Sequence, residues 1–151
     1  MATVDMLGVP PAAYIHAYVS TTYDSTTGTW NNLDCGGEVA KINITHSTST
    51  NNQNFTIIEA GYYVVDASFR LEDADSGTVR SIRITVGGTT VAWEDYKPLD
   101  TGEQIHEINF VTHLNLDASD VVVCQMYHDH GAGREIEAGS TASYLKLLKV
   151  R

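Results

Sequence analysis

The stretch that most constrains this chain is Gly61 to Leu71, GYYVVDASFRL, because it is apolar on both sides of a pleated strand. At a period of two, Tyr63, Val65, Ala67, Phe69 and Leu71 point one way, while Tyr62 and Val64 point the other. One apolar face suffices for a strand in a two-layer sandwich. The second face needs a partner of its own, and the simplest one is another copy of the same chain.

The other segments sort by the same criterion. Tyr14 to Ser20, Val121 to His128 and Ala142 to Val150 also carry apolar residues on both sides. Val39 to Thr45, Ser81 to Trp93 and His106 to Leu116 have one wet side, with Ile108, Phe110, Leu114 and Leu116 opposing Asn109, His113 and Asn115. The clearest local signal is SIRITV and TTVAW flanking Gly87-Gly88, which predicts a tight hairpin. Thr21 to Gly37, Ser47 to Asn54, Asp73 to Gly77 and Glu94 to Gly102 read as polar connections. With no helical period anywhere, the chain reads as all-β. Two sheets follow, the two-faced strands forming one and the one-faced strands the other. The two-faced sheet is the expected self-association face, with Tyr14, His16, Tyr18, Tyr62, Val64, Tyr127, Tyr144 and Leu148 as its interface residues. Periodicity alone leaves a trimer and a dimer through that sheet equally open.

A chain of 151 residues with 42% hydrophobic content builds one domain with a proper core. Residues 1–13, with Pro10 and Pro11, read as an extended arm, and 14–151 as the domain. The N-terminal residues show no basic start and no long apolar run, so neither a signal peptide nor a membrane span is expected, and synthesis is expected in the cytoplasm. The net charge of −10 disfavours nucleic acid and anionic lipid as partners. Two cysteines, Cys35 and Cys124, are too few for a disulfide framework and read as buried free thiols.

The segments FTIIEAGYYV (Phe55 to Val64), LNLDASDVVV (Leu114 to Val123) and SYLKLLKV (Ser143 to Val150) resemble the globular domain of C1q and tumour necrosis factor proteins. The resemblance runs from about Tyr14 onward. It implies a two-sheet jelly-roll β-sandwich that forms a homotrimer, with the sheet of the first, last and Gly-Tyr strands lining the trimer axis.

Candidate chemistry is sparse. His128, His130 and Glu135, spaced His-x-His-x4-Glu, are the residue types that hold a divalent metal; the competing reading is a polar loop turned by Gly131 and Gly133. Glu72, Asp73 and Asp75 offer oxygens for calcium but lack a spaced ligand set. Trp30, Trp93 and Tyr96 are the candidate ligand-binding aromatics. Neither a nucleophile elbow nor a phosphate loop is present, so no enzyme and no cofactor is expected. The expected function is structural: a capsid decoration, or cement, subunit of a virion such as a bacteriophage, bound to the major capsid protein or another shell protein through its base and arm. The alternative is a trimeric knob, an adhesin or fibre tip that recognises a receptor or glycan through loops 21–37 and 94–102.

Overall fold

A computed structural model describes residues 13–71, 79–96 and 106–150. The thirteen strands, in chain order, are β1 (Tyr14–Tyr18), β2 (Tyr23–Ser25), β3 (Trp30–Asn32), β4 (Gly37–Ile42), β5 (Ile44–Thr45), β6 (Phe55–Ile57), β7 (Gly61–Leu71), β8 (Arg80–Val86), β9 (Thr89–Tyr96), β10 (His106–Leu116), β11 (Val121–His128), β12 (Arg134–Ile136) and β13 (Tyr144–Val150). All pairings among them are antiparallel.

The first sheet is built on β7. β10 pairs along one side of it, from His106 opposite Leu71 to Leu116 opposite Gly61. β13 pairs along the other side, from Tyr144 opposite Ser68 to Val150 opposite Tyr62. β1 and then β4 extend the sheet beyond β13, while β12 and β2 continue it past the Leu71 end of β7. The second sheet runs β5, β6, β11, β8, β9, with β3 pairing on β11 next to β6. Between the sheets, the inward row Tyr63, Val65, Ala67, Phe69 and Leu71 is at 0% exposure, packed with Phe55, Ile82, Ile84, Val122 and Met126. The apolar alternation in the sequence is therefore the fold's inside and outside.

Two glycine positions are dictated by geometry. Gly87 and Gly88 turn the β8–β9 hairpin at φ of 56° and 83°, a region that a side chain disfavours. A Cβ on Gly37 would lie 2.4 Å from the Tyr18 ring, so the ring rests directly on the backbone of β4.

The sorting of strands by wet and dry sides is corrected in three places. β10 belongs to the first sheet, not the second. It has a wet side because, among the described residues, it is an edge strand with β7 as its one strand neighbour, so Val111 is flanked by Asp66 on one side alone and is 61% exposed. β11 belongs to the second sheet, where its outward residues Val121, Val123, Gln125 and Tyr127 are half-buried, with the Trp30 ring of β3 against Tyr127. The expected strand 39–45 breaks at Asn43, whose φ of 50° sends β4 into one sheet and β5 into the other. The connection 21–37, read as polar loop, contains β2 and β3. Residues 1–12, the turn 73–77 with Glu72, and most of the loop 94–102 lie outside the described residues.

Candidate assembly face and the closed polar end

The outward residues of the first sheet fall into rows fixed by strand register. One row is apolar: Ile42, Tyr14, Leu148 and Val64 lie side by side across β4, β1, β13 and β7, with His113 of β10 at the end. Beside it, Tyr62 is 62% exposed opposite Val150. The next row is ionic at its centre, running Ala40, His16, Lys146, Asp66 and Val111. Lys146 Nζ lies 3.1 Å from Asp66 Oδ2 and 4.0 Å from the Tyr144 ring centroid, and the Tyr144 hydroxyl donates to Asp66 Oδ1 at 3.3 Å. Burial, reinforced by the Asp66 charge, raises the Tyr144 phenol pKa. His16 Nε2 donates to the Ser140 carbonyl at 3.0 Å and its ring meets Tyr144 edge-on at 5.6 Å. Burial lowers the His16 pKa, and the Lys146 charge pushes in the same direction. The sheet thus presents an apolar strip beside an ion pair that is already matched within one chain.

Of the eight expected interface residues, Tyr14, His16, Tyr18, Tyr62, Val64, Tyr144 and Leu148 share this face. Tyr127 does not, because β11 is in the other sheet, where its ring packs on Trp30 at 5.6 Å. Ile42, Asp66, Lys146 and Val111 also lie on this face and were not among the expected residues. Lys146 and Asp66 sit at the outward period of strands already recognised, and reading the period through the charged residues would have found them.

The expected metal residues do not converge. His128 is fully buried at one end of the sandwich, with Nε2 2.9 Å from Ser25 Oγ. The Ser25 hydroxyl donates its single proton to the Arg134 carbonyl at 2.6 Å. Nε2 must therefore carry a proton and donate to Oγ, leaving Nδ1 as a bare acceptor, and that atom has no hydrogen-bond partner among the described residues. Burial first, then the charges of Arg80, His130 and Arg134, push the His128 pKa down to about 4. An imidazole protonated at Nε2 cannot take the Ser25 proton, so the pair is not an activated nucleophile. Both His130 ring nitrogens meet the Arg134 guanidinium, and Glu135 lies across from Asp24 on the β2–β12 ribbon. Among the described residues, no group of three or more His, Cys, Asp or Glu is placed to hold a metal ion. Cys35 and Cys124 are buried free thiols, and burial pushes both thiol pKa values up.

The three expected ligand aromatics lie on strands. Trp30 and Trp93 are both on the outer side of the second sheet, flanking Arg83, whose guanidinium lies 4.0 Å from the Trp30 ring centroid and whose backbone pairs with Trp93. Tyr96 is instead a strut between sheets, its hydroxyl donating to the Asn109 carbonyl of β10.

Two antiparallel sheets of seven and six strands, packed face to face with β1 and β13 adjacent beside β7, define a jelly-roll sandwich. Neither a family model nor a curated protein matches the sequence. Solved structures do match in fold. Eiger TNF from S. frugiperda superposes with a TM-score of 0.71 at 13% identity, covering 93% of this chain and 94% of that one. Murine APRIL at pH 5.0 gives a TM-score of 0.68 at 8% identity, covering 91% and 98%. The fold is that of the tumour necrosis factor jelly roll, as the sequence resemblance implied.

Proposed function

We propose that this chain is a non-enzymatic structural protein that works as a homotrimer, its subunits packed through the outer face of the first sheet. The observation that carries the reading is the row Ile42, Tyr14, Leu148 and Val64, apolar across four strands and flanked by the half-exposed or exposed Tyr62 and Val111. A contiguous apolar strip of this kind is costly in water and is relieved by a symmetric partner presenting the same strip. The Lys146–Asp66 pair beside it needs no charge from another subunit, so neighbouring copies can close on it without leaving an unmatched ion. The likeness to tumour necrosis factor jelly rolls supports three subunits over two.

Light scattering tests this: the wild type is expected at three times the 16.5 kDa chain mass, and Leu148→Asp at the mass of a single chain. A wild type at single-chain mass would overturn the reading. Within it, decoration of a viral shell through residues 1–13 is the form of the role that the sequence favours. Deleting residues 1–12, which keeps the fully buried Ala13 and the bond its carbonyl accepts from Lys149 N, is expected to leave the trimer intact and abolish attachment to the shell protein; attachment that survives the deletion removes the arm from the proposal.

A further inference from the structure

The outer side of the second sheet carries a built polar groove that assembly through the first sheet leaves open. It is a depression of about 340 Å³ lined by Asn32, Asn54, Gln53, Arg83, Thr85 and Gln125 among others, and its lining contains no carboxylate. That volume lies at the low end of the roughly 300–1,000 Å³ usual for small-ligand sites. Strand register aligns Asn32, Gln125, Arg83 and Trp93 in one row across β3, β11, β8 and β9. The row is wired together: Arg83 Nε donates to Gln125 Oε1 at 2.8 Å, and Gln125 Nε2 donates to Asn32 Oδ1 at 2.7 Å. This relay fixes the orientation of both amides and leaves the Asn32 NH₂ group and one Gln125 N–H for a ligand.

Arg83 points to the ligand's charge. The chain is strongly acidic, yet among the described residues no carboxylate forms an ion pair with this guanidinium. It is held instead by the face of Trp30, by Gln125 and, at 3.4 Å, by Thr90. A guanidinium immobilised by neutral groups retains a planar fork suited to an external carboxylate. Directly opposite it on β9, the Trp93 indole is 61% exposed on the same side of the sheet. A flat apolar ring beside a row of amides and a cation suits a ligand with one apolar face, many hydroxyls and a negative charge.

We propose that this groove binds an acidic oligosaccharide, its carboxylate held by Arg83, its hydroxyls by Asn32, Asn54 and Gln125, and an adjoining sugar ring stacked on Trp93. An extended peptide is a poorer fit, because peptides add to sheet edges through backbone pairing and this groove lies on a sheet face. The site does not depend on the trimer: a single chain presents it complete, so failure of either proposal leaves the other standing.

Both tryptophans of the chain flank the groove, so intrinsic fluorescence reads its occupancy. The full chain is titrated with tri-galacturonate and with 3′-sialyllactose, alongside their uncharged counterparts galactotriose and lactose, and with tri-glutamate as a carboxylated peptide. A saturable change is expected with at least one acidic sugar, about tenfold tighter than with its uncharged counterpart. Arg83→Gln is expected to abolish that acid preference, and Trp93→Ala, at an exposed side chain, to weaken binding about tenfold with the circular dichroism unchanged. Should Arg83→Gln fail to fold, Arg83→Lys, which keeps the charge and loses the fork, is expected to weaken the acidic sugar selectively. No saturable response to either acidic sugar, equal binding of the uncharged sugars, equal binding of tri-glutamate, or wild-type affinity in Trp93→Ala would each overturn the proposal.

Discussion

Lowering the pH from 7 to 4 is expected to destabilise the fold through His128, whose imidazole is enclosed at one end of the sandwich beside Arg80, His130 and Arg134, with Asp129 the opposing charge. In the folded state the ring takes up a proton only near pH 4, against 6.5 when unfolded. Between those values the unfolded chain holds a proton that the folded chain lacks, so acid favours unfolding. The stability linked to this group is fully present above about pH 6.5 and falls as pH drops toward 4, by up to about 1.4 kcal/mol per pH unit. The folded pKa of about 4 sets the total at about 3 kcal/mol, a large part of the stability of an ordinary domain. His16, also lowered by burial, adds in the same direction, whereas Asp34, raised by burial, opposes it, and the lowered Glu38 acts only below its unfolded value of 4.5. The His128 contribution is therefore isolated by difference. Urea unfolding of the wild type and of His128→Gln, at fixed protomer concentration across pH 4 to 7.5, is expected to give a clearly shallower loss of stability in the variant. Parallel pH profiles for the two proteins would refute the reasoning, as would an NMR titration of the His128 ring with a midpoint near 6.5.

Other perturbations test the core and the assembly face. Phe69→Ala, in the fully buried row of β7, is expected to cost about 3–5 kcal/mol in urea unfolding, and a loss under 1 kcal/mol would show that the row is not the core. Gly37→Ala places a methyl group against the Tyr18 ring and is expected to cost about 1–3 kcal/mol while shifting that ring on the outer face, read as a lower melting temperature together with a changed Tyr18 ring resonance. An unchanged ring resonance would show that the backbone of β4 moves instead.

The inside of this fold was legible because burial of alternate residues is written directly into β7, β8 and β10, and the Gly87-Gly88 turn has a conformation that few other residue pairs adopt. Sheet membership was less legible. Whether the outer side of a strand is wet depends on its neighbours, so edge strand β10 looked like a member of the exposed sheet and half-covered β11 like a member of the assembling one. That misplacement grouped Tyr127 with the first sheet, although it lies in the second, and left Val111 out of the first. β2, β3 and β12 are three residues long, too short for a period of two to declare itself within polar sequence. The His128 environment is a matter of three-dimensional enclosure: the sequence places His128 and His130 two apart as if to share an ion, but β11 ends at His128 and the chain turns away before His130, so one ring sits against Ser25 and the other on Arg134.

The seam between β1 and β13 has a consequence for how the chain reaches this structure. β1 is hydrogen-bonded to β4 on one side and β13 on the other, and β13 alone joins that pair to β7. While residues 144–150 are still being synthesised, β1 and β4 have no route into the first sheet, and the apolar inward side of β7 lacks half its flanking strands. Closure is therefore a late, long-range event, and such topologies fold slowly relative to those built from local pairs. A nascent or C-terminally nicked chain would expose strand edges that the finished molecule conceals, edges of the kind that template pairing with other chains.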